Sequence, residues 1–329
     1  MTMPAVVLTD EGRIALRDRP RPTLRPDQVL IEVDMCGICG SDLHASQLPQ
    51  VYLGDCILGH ESTGRVAAVG DEVEDWAIDQ RVAVNPNGNV DGTCAYCRSG
   101  RPNFCRQATL ETALGLQADG ALAPLMAAFP GHLRRIPDEM GTVEAAWVEP
   151  TATALRAVEL AGELAGRTVL VTGGGPIGQL ACRLAHLGSP DRILLMEPAP
   201  QRVRFATASH AVPIAADAAE AVDVVFECSG SAAATSSALK LLAPGGILVV
   251  VGAGPDPGLD SATILLKEIT VRGSYIYNDE FDRAIDLLAT RQIAVADLTT
   301  VVSPLAGALD AFDALRAGDI MKALIAPGS

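Results

Sequence analysis

The sequence constrains its own fold most tightly between residues 168 and 197. TVLVT at 168–172 is a short apolar, β-branched run of the kind buried on both faces of a sheet. GGGPIG follows at Gly173–Gly178, and residues 179–187 read as a helix ended by Gly188. RILLME at 192–197 is the next strand and closes on an acid, Glu197. The pattern Gly173-x-Gly175-x-x-Gly178 is weak alone. Here it follows a strand, opens a helix, and has an acid 19 residues beyond its last glycine, which is the context a dinucleotide fingerprint requires. The first glycine makes the turn, the second admits a pyrophosphate to the backbone, and the third lets helix and strand pack closely. Free amides and the dipole at the helix start favour phosphate. Glu197 is placed to accept hydrogen bonds from the adenosine ribose and to repel a 2′-phosphate. The nearest arginine after it is Arg202. NAD is expected over NADP.

Further strands are expected at 222–227 (VDVVFE), 247–252 (ILVVVG) and 269–273, with helical stretches between some of them, notably 232–242. Strands alternating with helices imply a parallel sheet covered on both faces. The 198–221 segment is short, so that part of the sheet is expected to be trimmed. Residues 145–162 read as a helix. Residues 1–35, punctuated by Pro20, Pro22 and Pro26, and the segment after Glu61 read instead as short strands and turns. The tail holds an amphipathic helix at 280–292, a β-prone run, a second helix over 305–317 and a last strand, MKALIA. It reads as a return to the first half.

That first half carries metal-type chemistry. CGICGSDLH places Cys39, Ser41, Asp42 and His44 within six positions, and GHE adds His60 and Glu61. Thiolate and imidazole are zinc donors, and a catalytic zinc keeps three protein ligands and one open position. A hydroxyl at Ser41 and an imidazole at His44 could carry a proton away from a metal-bound alcohol. A second, polar and glycine-rich stretch at 85–105 holds Cys94, Cys97 and Cys105. A lobe with so little to bury needs a staple, and metal is the usual one. Asp91 stands three residues before Cys94, in step with the Cys94–Cys97 spacing, and its carboxylate can complete a tetrahedron.

Composition narrows the class. The 329 residues are 49% hydrophobic and 20% charged, with a net charge of −15, which suits a soluble globular protein and argues against a nucleic-acid or anionic-membrane surface. No apolar run approaches membrane-spanning length, and the start lacks the marks of a signal peptide. Eight cysteines, four of them in Cys-x-x-Cys pairs, suit reduced thiols in the cytoplasm.

CGICGSDLH, GHE, the cysteine lobe, Glu149-Pro150, GGGPIG and the VVVG turn occur in an order that resembles the zinc-dependent medium-chain alcohol and polyol dehydrogenases, nearest the sorbitol and xylitol branch. The resemblance covers nearly the whole chain. It implies an α/β protein with a GroES-like β-rich catalytic domain (1–152 and 278–329) and a Rossmann doubly wound parallel-sheet cofactor domain (153–277). It implies Cys39, His60 and Glu149 as catalytic zinc ligands, with Glu61 a neighbouring carboxylate and Asp42 orienting His60. Asp91, Cys94, Cys97 and Cys105 correspond to a structural zinc site, although the family usually has cysteine at the first position. Thr153 and Ile177 align with residues that press on the nicotinamide, Pro176 and Val251 with the cofactor site, and Lys322 with a basic residue reaching the pyrophosphate. Gly40 stands where some members carry an arginine.

The implied reaction moves hydride between a secondary alcohol, polyol or cyclitol and NAD in a cleft between domains, with the proton leaving through Ser41, the cofactor ribose and His44. Segments 48–57, 114–122 and 275–278 are the expected cleft linings. A homodimer or homotetramer is expected, paired through a strand near 259–265 and the sheet edge at 269–275, with no nucleic-acid or membrane partner. Competing readings are a zinc-free NADPH-dependent enone or quinone reductase, and a non-catalytic nucleotide sensor. Cys36, Cys182, Cys228 and Trp147 are expected to be packing residues, Cys56 a candidate cleft residue, and His132, His186 and His210 to lack partners at ligand spacing.

Overall fold

The computed structural model describes residues 1–48, 50–215, 218 and 220–328. Pro49 of the expected cleft lining, Ala216, Asp217 and Ala219 of the short 198–221 segment, and Ser329 lie outside the described residues. The chain forms two compact units, Met1–Glu149 with Phe281–Ser329, and Pro150–Glu280. The cuts fall three residues from the boundaries expected at 152 and 278.

The first unit is built on the Val29–Gly37 strand, where Val29, Ile31 and Val33 alternate inward and are buried. Each such side chain is worth roughly 1.5–3 kcal/mol of apolar burial. This strand pairs antiparallel with Glu61–Val69, with Leu125–Ala128 and with the tail strand Lys322–Ile325. Thr299–Val302 extends the sheet beyond the tail strand, and Arg81–Val84 and Leu133–Arg135 extend it on the other side. A separate three-stranded sheet joins Ile14–Pro20, Thr2–Leu8 and Cys56–Ile57. Strand register decides which polar side chains meet. Gly37 sits opposite Glu61, and Leu324 pairs with Gly37. The Cys39 turn, the His60–Glu61 pair and Lys322 therefore converge at one end of the sheet. A β-carbon at Gly37 would collide with Glu61 and Lys322. Gly59 adopts φ +97°, open to glycine, and a β-carbon there would strike Cys36 and Leu122.

The second unit is a six-stranded parallel sheet in the order Val212–Ile214, Arg192–Met196, Thr168–Thr172, Val222–Glu227, Leu242–Val250, Thr270–Gly273. The helix Pro176–Leu187 begins three residues earlier than expected, with proline in its first turn, where no amide donor is needed. The 198–221 segment is short but still supplies the edge strand Val212–Ile214. The strand expected near 259–265 is instead a helix, Ser261–Leu266. Its cause is local, because the Asp260 carboxylate caps it by accepting from the Ala262 amide at 3.0 Å. Among the described residues no helix is long and apolar enough to cross a membrane.

His132 has structural partners rather than ligand partners. It is fully buried, its Nδ1 accepts from the Phe129 amide at 3.1 Å, and its Nε2 lies 3.1 Å from the Thr112 carbonyl. Both bonds are satisfied by a neutral ring. Burial pushes the pKa down from 6.5 to about 4. A folded-state pKa below the unfolded one means that the unfolded chain binds the proton first. The stability contributed is then whole above pH 6.5 and is lost as pH falls from 6.5 to 4. The loss amounts to about 3 kcal/mol. In chemical denaturation the wild type should lose this much more stability over that window than His132→Asn; equal losses would contradict the assignment.

Candidate active site and metal centres

Cys39 caps the short helix Gly40–Leu43, and its amide donates to Asp42 Oδ2 at 2.9 Å. The ligand atoms of Cys39, His60 and Glu61 lie within 4.8 Å of one another. Asp42, His60 and Glu61 are buried, and Cys39 is half-buried. His60 Nδ1 stands 3.5 Å from Asp42 Oδ1, beyond a good hydrogen bond, and has no hydrogen-bond partner although buried. Burial opposes a charged imidazole here, yet Asp42 and Cys39 outweigh it and hold the His60 pKa well above the ordinary range. Burial pushes the Asp42 carboxyl up, against the pull of His60 and of the Cys39 amide. These groups thus favour positive charge between them. A divalent cation bound by thiolate, imidazole and carboxylate satisfies the same groups, so the donor set fits zinc.

Two expected roles change. Glu149, expected as the third ligand, lies outside the 4.8 Å group, and Glu61 joins it instead. Glu61 follows His60 directly at the start of its strand, whereas Glu149 sits in the first turn of the helix Val148–Leu160 and reaches His60 and Lys322 through its charge. Lys322, expected at a pyrophosphate, is buried within the first unit with its ammonium on Glu61 and 5.7 Å from the centre of the Trp147 ring. Burial works against that charge, and Glu61 and Cys39 more than restore it, raising the pKa. The cause is the register that sets the tail strand beside Gly37.

Ser41 Oγ lies 2.9 Å from the Tyr52 hydroxyl, which is also 3.0 Å from Asp42 Oδ1. Tyr52 has no motif around it, and the sequence alone does not single it out. His44 is exposed at the end of the Gly40–Leu43 helix. Cys56 and Trp147 are buried, and the Trp147 indole donates to Thr299 Oγ1 at 2.8 Å. His186 and His210 do meet, their rings stacked 3.7 Å apart.

Asp91, Cys94, Cys97 and Cys105 form the second group within 4.8 Å. Backbone amides organise it. Asp91 Oδ1 accepts from Thr93 and Cys94 at 2.6 and 2.7 Å, Cys94 Sγ from Cys97 at 3.4 Å, and Cys105 Sγ from Asp91 at 3.4 Å. The Cys94 and Thr93 amides hold the Asp91 carboxyl down at about 2. Three sulfurs and one ionised oxygen converge, a set that fits zinc.

In the second unit a cavity of about 450 Å³ is lined by Gly173, Gly175, Glu197, Arg202, Cys228 and Ser229, among others. Glu197 Oε2 accepts from the Gly174 amide at 2.7 Å and Oε1 from Ala199 at 2.8 Å, with Arg202 Nη1 3.8 Å away. The helix Pro176–Leu187 starts at this loop, with Gly178 in its first turn. A β-carbon at Gly178 would collide with the Gly173 carbonyl. Pro176, Ile177, Val251 and Thr153 are not among the residues that line the cavity. Val251 follows the strand Leu242–Val250, and Thr153 is half-buried on the helix Val148–Leu160. A cavity of about 350 Å³ in the first unit, lined by Arg25, Glu111 and Phe129 among others, includes none of the metal-type residues.

A catalytic-type donor set in a β-rich unit and a glycine-loop parallel sheet define a nucleotide-dependent metalloenzyme architecture. The alcohol dehydrogenase GroES-like domain family matches residues 25–138, and the zinc-binding dehydrogenase family matches residues 176–290. A sorbitol dehydrogenase of Halalkalibacterium halodurans is 30% identical, covering 99% of this chain and of its own. D-xylulose reductase A of Aspergillus oryzae is 30% identical over 97% of this chain and 95% of its own. A structure from Sinorhizobium meliloti 1021, described as a zinc-binding dehydrogenase bound to NADP, superposes with TM-score 0.92 at 31% identity, covering 99% of this chain and 100% of that one. The chain belongs to the zinc-binding medium-chain dehydrogenases. If Asp91 completes the lobe site, Asp91→Ala should weaken zinc retention there beyond the roughly 10–100-fold that loss of an outer-shell partner costs. Chelator competition measures it, and unchanged retention would remove Asp91 from the site.

Proposed function

We propose that the chain interconverts a polyol, or another secondary alcohol, and its ketone, using NAD. The observation that carries the reading is the Cys39–His60–Glu61 group with the Ser41 hydroxyl on the adjoining helix. Relatives named sorbitol dehydrogenase and D-xylulose reductase support the polyol class. A zinc-free reductase has no use for this donor set.

Cys39, His60 and Glu61 would hold the zinc, which when bound supplies Lewis acidity that makes an alkoxide accessible near neutral pH. Asp42, 3.5 Å from His60 Nδ1, faces the imidazole as its charge partner and would accept its hydrogen bond once the ring binds metal. Lys322 balances the Glu61 charge, so that Glu61 is not left as an uncompensated buried anion. Ser41 accepts the hydrogen bond of the substrate hydroxyl, and exposed His44 passes a proton to water. NAD, held at the glycine loop, is the hydride acceptor.

The preference for NAD rests on Glu197, whose two oxygens each hold a loop amide and so keep the carboxylate at the cavity wall. An anion there repels a 2′-phosphate, and Arg202 at 3.8 Å only partly offsets it. The partners proposed are small molecules and a second copy of the chain. The edge strand Thr270–Gly273 is exposed at every residue, and Leu265 and Leu266 are exposed nearby in sequence, which suits pairing of subunits there.

Reduced-nicotinamide absorbance with a panel of polyols tests the reading. Turnover should vanish in Cys39→Ser, fall roughly 10²–10⁴-fold in Ser41→Ala, and be undetectable with no alcohol present. Undiminished turnover in Cys39→Ser would sink it. Separately, Glu197→Gln should raise the NADP-to-NAD ratio of kcat/KM by about tenfold or more, since each 1.4 kcal/mol of relieved repulsion is tenfold. An unchanged ratio would remove Glu197 from cofactor selection.

A further inference from the structure

Tyr52 lies outside every motif of the chain, yet the fold carries its side chain to the edge of the candidate metal site, against Ser41 and Asp42. The Tyr52 amide donates to the Leu48 carbonyl at 3.0 Å, Leu53 to Leu116 at 2.7 Å, and the Gln117 side chain to Val51 at 2.7 Å. The turn is thereby strapped to the 113–118 segment, and the ring is driven inward until 2% of the residue remains exposed. Its hydroxyl ends 2.9 Å from Ser41 Oγ and 3.0 Å from Asp42 Oδ1.

We propose that Tyr52 is a positioning residue, whose buried hydroxyl joins Ser41 and Asp42 into one hydrogen-bonded unit and so aligns substrate hydroxyl and metal-ligand imidazole together. The inference rests on the dehydrogenase reading above and deepens it. A phenol has one proton to give. Asp42 as a carboxylate only accepts, so that proton goes to Oδ1, and the phenol oxygen accepts from the Ser41 hydroxyl. The Ser41 hydrogen is then turned inward and its lone pairs outward, where they take the hydrogen bond of a substrate hydroxyl. Burial, with Asp42 beside it, holds the Tyr52 pKa above its ordinary value, so the phenol remains a donor. Asp42 meanwhile has three contacts: the Cys39 amide, Tyr52, and His60. Removing the Tyr52 hydroxyl frees Ser41 to rotate and leaves Asp42 with the Cys39 amide as its hydrogen-bond donor and His60 as its charge partner.

Tyr52→Phe keeps the ring and its packing, so it isolates the hydroxyl. It should lower kcat roughly 10- to 100-fold, the cost of a small misplacement of reacting groups, with KM for the alcohol near wild type and the alkaline limb of the pH profile displaced. In a Ser41→Ala background the same change should cost less than about threefold, because the two groups act as a unit. Wild-type kcat and pH profile in Tyr52→Phe, or effects that multiply in the double variant, would overturn the proposal. Inactivity of the wild type itself would count against the dehydrogenase reading instead. Cobalt-loaded protein then decides the positioning role without turnover. Tyr52→Phe should shift the visible cobalt bands as Asp42 loosens its hold on His60, and unshifted bands would contradict it.

Discussion

Ionised groups withdrawn from water must be paired, and one end of the first unit's sheet is arranged around that requirement. Asp42, His60, Glu61 and Lys322 are all buried there, with Cys39 beside them. An unpaired ion in such a place costs several kcal/mol, and removing one partner of a buried pair costs about 3–5 kcal/mol. The chain meets the constraint with elements far apart in sequence. Cys39 and Asp42 come from the turn after Val29–Gly37, His60 and Glu61 from the strand beside it, and Lys322 from the tail strand. The tail is therefore part of the metal site. Gly37 and Gly59 lack side chains because the space is already filled by Glu61, Lys322 and Cys36.

The second unit solves a similar problem with backbone donors. Glu197 and Glu227 stand at the ends of the two strands that flank Thr168–Thr172, and each gathers loop amides at that end of the parallel sheet. Glu197 takes Gly174 and Ala199, and Glu227 takes Ser229 and Gly230. These bonds hold the loops beside the cavity and keep the Glu197 carboxylate at its wall.

Much of the fold was legible because local rules and global fold agree. The TVLVT strand, glycine turn and helix lie where spacing and propensity place them, apart from an earlier helix start at Pro176. Misreadings arose where one polar residue overrode an apolar run, as at Asp260, which makes a helix of the residues expected to form a strand. The metal-type residues were legible as types and spacings, but which carboxylate joins Cys39 and His60 depends on strand register, which no local pattern states. Glu61 rather than Glu149 falls within the group of Cys39 and His60, and Lys322, expected at a pyrophosphate, lies on Glu61. Tyr52 was invisible because the turn that carries it is strapped down by bonds of its neighbours Val51 and Leu53 to residues more than sixty positions away.

Anomalous diffraction at the zinc edge, from crystals of the zinc-loaded protein, tests the metal assignment most directly. The expected result is a peak bonded to Cys39, His60 and Glu61, about 2.0–2.3 Å from each donor atom, with a second peak among Asp91, Cys94, Cys97 and Cys105. An empty Cys39–His60 site in zinc-replete protein, or a zinc there held by Glu149 with Glu61 still on Lys322, would contradict it.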